Sequence, residues 1–403
     1  MLRPGCRPRP LPAALAALSL AVLAACGGGN DDAPAVAAAS TPAARPLVIA
    51  HRGASGYLPE HTLEAYAKAI EMGADFIEPD LVSTKDGVLI ARHEPMLDAT
   101  TDVAERPEFA SRRRTLKVDG IDTTAFFASD FTLAEIRTLR AKQAFAERDP
   151  SHNGRYQVPT FEEVIALAKS RSAALGRTIG VYPETKHPTW HEEQGLPLED
   201  RLLAALAAAG WTSADAPVFI QSFEQANLKK LRAKTRVRLV QLVDADDVDP
   251  RTGAITYAAP YDRPYDWTKS GRSGSFGDLL TPAGLDEVRT YADAIGPWKR
   301  YLVTVKATLD AGGNPVDVNA DGQVNEADFR AVADDTIVRN AHARGLKVHT
   351  WTFRNEPRRL AASYANDPAK EYAQFFAIGV DGVFSDFPDT AVAARDAWVA
   401  AQK

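Results

Sequence analysis

From Leu47 onward the chain alternates between short apolar runs and longer stretches whose apolar residues recur at helical spacing. The runs at 47–51 (LVIAH), 76–82 (FIEPDLV), 88–93 (VLIARH), 179–184 (IGVYPE), 218–223 (VFIQSF), 238–243 (RLVQLV), 292–297, 347–353 (KVHTWTF) and 381–386 (DGVFSD) read as strands. Helical patterns cover 61–72, 160–175, 199–209, 224–234, 331–344 and 389–401. Largely apolar strands separated by helices belong to parallel sheets that helices cover. About eight such β–α units close a barrel, so the pattern predicts an α/β barrel fold. Two stretches break the period. Residues 94–158 are expected as an inserted cap over the barrel mouth, and 245–280, rich in Asp, Gly, Ser, Tyr and Pro, as a long loop.

The strand ends carry polar groups: His51-Arg52, Glu78-x-Asp80, His93, Glu184, Gln221, Trp351 and Asp386. In barrel enzymes that end of the sheet holds the active site. His51 can move a proton near neutral pH, Arg52 offers a planar fork for a phosphate or carboxylate, and Gly53 lets the backbone approach a ligand. Glu78 and Asp80 are two apart, so on one strand they face the same side and repel each other unless a cation lies between them. Oxygen donors without cysteine point to a hard divalent ion, Ca²⁺ or Mg²⁺. Glu184 could add a third carboxylate, and Lys186 a second cation for a phosphate. Paired with His51 across a barrel mouth, His93 becomes an acid–base candidate.

A further acidic segment, DVNADGQVNEAD at 317–328, has the spacing of an EF-hand-type calcium loop. Asp317, Asn319, Asp321, Gln323 (through its carbonyl) and Asp328 take ligand positions, and Gly322 the sharp turn. A second, structural Ca²⁺ is expected there. Of the other histidines, His61 reads as a helix-start residue or one that supports the site residues from behind, and His187 and His191 as loop residues near the rim. His349 reads as either core or pocket, and His152 and His342 as surface.

The length of 403 residues suits a single barrel domain, and 45% hydrophobic content supplies its core. A net charge of −6, with no basic run longer than RRR at 112–114, excludes a general nucleic-acid binder. Arg3, Arg7 and Arg9 precede LPAALAALSLAVLAA, an apolar stretch too short to span a membrane. It ends in Leu23-Ala24-Ala25-Cys26-Gly27, which resembles the lipobox of bacterial lipoproteins. The resemblance implies a signal peptide at 1–25 and a lipidated Cys26. The stretch that follows is small, Pro-broken and without aromatics, so 26–46 reads as a flexible tether and 47–403 as the folded domain. Cys6 and Cys26 are the only cysteines, so that domain contains no thiol.

In order along the chain, HRG…PEHT, IEPDLVSTKDG, ARHEPMLDATTDV, YPETK and VFSDFPD resemble the glycerophosphodiester phosphodiesterase family, especially its periplasmic, glycerol 3-phosphate-releasing branch. The resemblance implies a TIM (β/α)8 barrel with a divalent metal, usually calcium, at the strand ends. It makes His51 and His93 the catalytic pair and Glu78, Asp80 and Glu184 the metal ligands. Arg52 and Lys186 would bind phosphate, with Glu60, Gln221 and Trp351 at substrate positions. The substrate would be a small glycerophosphodiester, and the membrane would be met only through the lipid anchor in the cell envelope. Two other readings use the same barrel: a non-catalytic binding lipoprotein, and a phospholipase acting on intact lipids. The complete histidine–carboxylate set speaks against the first, and the charged 94–158 segment against the second.

Overall fold

The structure is a computed structural model that describes residues 45–403. The signal peptide, Cys26 and most of the tether expected from the sequence lie outside the described residues. Eight strands run in sequence order around a closed ring: β1 (Leu47–His51), β2 (Phe76–Glu78 and Asp80–Ser83), β3 (Gly180–Val181 and Glu184–Thr185), β4 (Phe219–Ser222), β5 (Arg238–Val243), β6 (Ala294–Pro297), β7 (Lys347–Phe353) and β8 (Gly382–Ser385). Each is parallel to the next, and β8 returns to β1 through Leu47↔Gly382. After each strand comes a covering helix: α1 (Leu63–Glu71), α2 (Phe161–Leu175), α3 (Glu199–Ala208), α4 (Gln225–Arg232), α5 (Pro282–Val288), α6 (Thr336–His342), α7 (Pro368–Ala377) and α8 (Pro388–Ala401). The helix after β7 is α7 and the one after β8 is α8, which completes a (β/α)8 barrel.

β2 and β3 are not the unbroken strands their apolar runs predict. Pro79 interrupts the first and Pro183 the second, because proline has no N–H to continue a ladder. The breaks coincide. The lower halves pair through Phe76↔Gly180 and the upper halves through Asp80↔Glu184. The Asp80↔Glu184 pairing sets those two carboxylates side by side, with Glu78 two residues before Asp80 and paired with His51.

The run at 88–93 forms only Leu89–Ala91, and it pairs antiparallel with the upper half of β2. The five residues Thr84–Val88 are too few for a parallel crossover, so the chain turns back as a hairpin. His93 therefore follows a hairpin outside the ring, not a barrel strand.

Inside the ring, Ile49, Phe76, Tyr182, Phe219, Val240, Ala294 and Phe384 fill the lower layer. His349 belongs to this core, with its Nδ1 2.7 Å from the Tyr182 hydroxyl. The segment 94–158 has its own apolar cluster around Phe109, Phe126 and Phe131, and a hairpin, Arg114–Val118 with Ile121–Ala125.

Residues 245–280 are not a loop. They form a hairpin, Asp247–Asp249 with Ala254–Thr256, and a short helix, Tyr265–Ser270, anchored by buried Trp267. The helix pattern at 331–344 also divides. Arg330–Ala333 is a strand pairing with Val303–Lys306, and α6 starts only after Asp334-Asp335. His191 lies buried in the short helix Pro188–Glu193, not in a loop.

Candidate active site

β1 ends in a sharp turn. Arg52 has a φ of 59° and Gly53 of 87°. A Cβ on Gly53 would lie 2.8 Å from the Ala65 backbone carbon, so only glycine lets β1 fold back onto α1. In that conformation the Arg52 N–H donates to Glu78 Oε2 at 2.8 Å, and its guanidinium reaches Glu60 at 3.2 Å. Glu60 lies behind Arg52 and lines neither of the two cavities described below. It orients the cation, and despite burial the pairing with Arg52 draws its carboxyl to about 2. Arg92, fully buried, braces this turn by donating to the Glu60 and His61 carbonyls.

Glu78, Asp80 and Glu184 are all buried, and one carboxylate oxygen from each lies within 4.8 Å of the others. Among the described residues this is the one such convergence of acidic, histidine or cysteine side chains. Burial raises Glu184 to about 8 and, together with Asp80, raises Glu78. Asp80 stays low in spite of burial because His61 lies 3.0 Å away and Lys186 and His93 face it. One buried Asp80 oxygen, Oδ1, has no hydrogen-bond partner. Three crowded oxygen donors and an orphaned carboxylate oxygen fit a hard divalent cation. Gln221 donates to Glu78 Oε1 at 2.8 Å, which steadies this set.

Two histidines face the same space. His51 Nδ1 lies 2.6 Å from Asp386 Oδ1, and its Nε2 accepts from Arg52 Nε–H at 3.2 Å. An ionised carboxylate only accepts and the guanidinium only donates, so the proton of His51 is on Nδ1. His93 repeats the arrangement, with Nδ1 2.8 Å from Glu94 and Nε2 accepting from Lys186 at 3.2 Å. Burial, then Arg52, lowers both rings to about 4. Lys186 also lies 3.0 Å from Glu184, which keeps it protonated despite burial.

Two cavities meet here. The inner one, about 120 Å³, is lined by His51, Glu78, Gln221, Trp298, Trp351 and Arg354. The outer one, about 570 Å³, opens past Glu94, Met96, Asp119, His187, Asp244 and Tyr261. Arg52, His93, Glu184, Lys186, Phe223 and Trp351 border both.

The structure adds residues that the sequence reading gave no role. In the sequence Asp386 is only one more polar residue at a strand end. It also binds Arg148 (2.5 Å), from the 94–158 segment, and Arg354 (2.9 Å). The "SDFPD" motif could have raised it, whereas nothing local marks Arg148. His61, by contrast, has the supporting position that the sequence allows it: it is buried between Tyr66 and Asp80 and holds a carboxylate.

The loop at 317–328 lies between the strands Val303–Lys306 and Arg330–Ala333, with no helix before it. Asp317 Oδ2 accepts from the Gly322 N–H at 2.8 Å, and Asp317 Oδ1 has no partner. Asp328 accepts backbone N–H groups from Val318, Asn319 and Asn325.

Residues 51–269 and 289–390 match the glycerophosphoryl diester phosphodiesterase family. The chain is 37% identical to a glycerophosphodiester phosphodiesterase of Arabidopsis thaliana, over 85% of this chain and 84% of that protein. It is 29% identical to one of Haemophilus influenzae over 94% of this chain and 96% of that protein. A solved Oleispira antarctica phosphodiesterase, in complex with the product sn-glycerol-3-phosphate, superposes with a TM-score of 0.50 at 19% identity, covering 87% of this chain and 97% of that one. At that identity the superposition speaks for the fold.

Proposed function

The chain belongs to the glycerophosphoryl diester phosphodiesterase family and hydrolyses glycerophosphodiesters, and we propose that it does so with His51 as general base and His93 as general acid. The observation that carries this assignment is the pair of cavities. His51 faces only the inner cavity, whose 120 Å³ suits a glyceryl group, whereas His93 borders the outer one, where the alcohol would leave. The product named for the Oleispira relative supports sn-glycerol 3-phosphate as the product here.

The diester monoanion sits against Arg52 and Lys186. His51 Nε2 takes the proton of the attacking hydroxyl, from water or from the glycerol 2-position, as its oxygen bonds to phosphorus. The bond from phosphorus to the alcohol oxygen breaks, and that oxygen takes a proton from His93 Nε2. Attack by water gives glycerol 3-phosphate directly, whereas attack by the 2-hydroxyl gives a cyclic phosphate. Water, deprotonated by His93, then opens that ring as His51 returns the proton to the 2-oxygen. The bound anion offsets the cations that hold His93 neutral in the free enzyme. When bound by Glu78, Asp80 and Glu184, a divalent ion, Ca²⁺ or Mg²⁺, supplies neutralisation of charge developing on the phosphoryl oxygens. Trp351, fixed by its Nε1–H on the Gly296 carbonyl at 2.7 Å, covers the glycerol.

The test is glycerol 3-phosphate release from glycerophosphocholine by the domain from Leu47, before and after EDTA, with Ca²⁺ or Mg²⁺ restored. Metal-dependent release that His51→Ala abolishes supports the proposal. Release that is indifferent to EDTA would overturn its metal part. The phospholipase reading has one supporting observation, the exposure of Ile121 and Tyr261 at the outer cavity. Phosphatidate release from intact lipid vesicles would establish it.

The loop at 317–328 is the proposed second Ca²⁺ site, supported by the partnerless Asp317 oxygen. Metal analysis should give two ions per chain, falling to one in Asp317→Ala. Export and lipidation at Cys26 rest on the sequence, and loss of radiolabelled palmitate in Cys26→Ala is the expected result.

A further inference from the structure

We infer that the outer cavity selects diesters whose leaving alcohol carries a positive charge, an ammonium or quaternary ammonium, through Asp244 and the ring of Tyr261. The inference rests on the proposed function, because it places the leaving alcohol beside His93. The floor of the cavity, at Arg52 and Lys186, is cationic and suits a phosphate. Its outer wall is different in kind. Glu94, Asp119, Glu224 and Asp244 line it together with the rings of Phe223, Tyr261, Tyr265 and Phe276.

The cations on this wall already have partners. His187 bridges Asp119 at 2.7 Å and Glu94 at 3.0 Å, and Arg263 pairs with Asp262 at 2.7 Å. Two carboxylates are left without a close cationic partner. Glu224 accepts only from the Thr189 N–H and hydroxyl, and Asp244 only from the Ala245 N–H at 2.9 Å. Burial pushes Glu224 to about 8 and Asp244 to about 7, as expected for desolvated carboxyls that lack a counter-ion. Lys186 faces Asp244 but is itself bonded to Glu184 and His93.

Tyr261 links these groups. It lines the same cavity as Glu94 and Asp244, and burial, then those two carboxylates, hold its phenol above its ordinary value. An aromatic face beside carboxylates is the chemistry that holds ammonium groups. In choline- and ethanolamine-type alcohols the nitrogen lies two carbons beyond the bridging oxygen. With that oxygen at His93, the nitrogen points toward the outer wall. A neutral polyol would leave Asp244 desolvated and unpaired, and an anionic alcohol would be repelled.

The test compares kcat/KM of the metal-loaded enzyme for glycerophosphocholine and for the 3,3-dimethylbutyl ester, which replaces the nitrogen with carbon. The wild type should favour the choline ester by about tenfold or more. Asp244→Asn and Tyr261→Leu should each lower that preference several-fold. Because the reading is a ratio of two substrates within one protein, loss of folded enzyme cancels, and the leaving-group difference is the same in every variant. A wild-type ratio near one, or a ratio that neither substitution moves, would overturn the inference while leaving the hydrolase reading intact. Absence of glycerol 3-phosphate from both esters, with either metal, would overturn both together.

Discussion

His51 and His93 each turn Nδ1 to a carboxylate and Nε2 to a cation, with Asp386 and Arg52 around the first and Glu94 and Lys186 around the second. Their surroundings differ. The Asp386 side chain is 1% exposed and gripped by Arg148 and Arg354, whereas Glu94 is 37% exposed and shared with His187. The His51 ring is 9% exposed and the His93 ring 28%. A base needs a fixed tautomer and a lone pair that water does not occupy. An acid needs a route by which its proton is replaced. The closed corner meets the first need and the open corner the second, so one chemical unit set at two depths can serve both halves of a proton transfer.

Removing either ring breaks the comparison most severely. His51→Ala and His93→Ala should each lower kcat/KM for glycerophosphocholine by about 10²–10⁴-fold. Retained activity in either would remove that histidine from the mechanism. Next in size are the orienting carboxylates. Asp386→Asn should cost about 10²-fold or more, because its amide can stabilise the wrong ring tautomer, as with other histidine-orienting aspartates. Glu94→Gln, on a more solvated ring, should cost about tenfold. Equal losses would mean that depth does not separate the two corners.

Arg148→Ala should cost less activity, since Arg354 still holds Asp386. It removes buried bonds to Asp386, Glu356 and the Ser55 carbonyl, and so should lower stability by about 1–3 kcal/mol. Urea unfolding checks this, and an unchanged midpoint would contradict it.

The smallest effect concerns scaffold histidines, which give both corners a baseline. Burial first of all lowers His191 and His349 to about 4. Their folded values lie below the unfolded value of about 6.5, so the unfolded chain binds the extra protons on acidification. Their contribution to stability is complete above about pH 6.5 and is lost as pH falls toward 4. The melting temperature should fall over that window, less steeply in His349→Gln. An identical slope in that variant would count against this assignment.

The barrel was legible because fully apolar strands and their polar ends leave a local trace. The boundaries that failed did so for physical reasons. Pro79 and Pro183 sit inside apolar runs and break them next to the three carboxylates. Leu89–Ala91 resembles a barrel strand, but the five-residue connection before it compels a hairpin. His51, His93, Glu78, Asp80 and Glu184 could be proposed from their motifs. The Asp386 contact to His51 spans 335 positions and the Arg148 contact to Asp386 spans 238, and no periodicity reports such pairings. Residues 245–280 are polar at their exposed turns, which concealed the helix that Trp267 anchors.

The assignment of base and acid is tested most directly by a leaving group that needs no proton. Glycerophospho-p-nitrophenol releases a stable phenolate. The account predicts that His93→Ala regains most of its lost activity on this ester, about 10²-fold relative to glycerophosphocholine, while His51→Ala stays inactive on both. Rescue of His51→Ala in place of His93→Ala, or of neither, would contradict it.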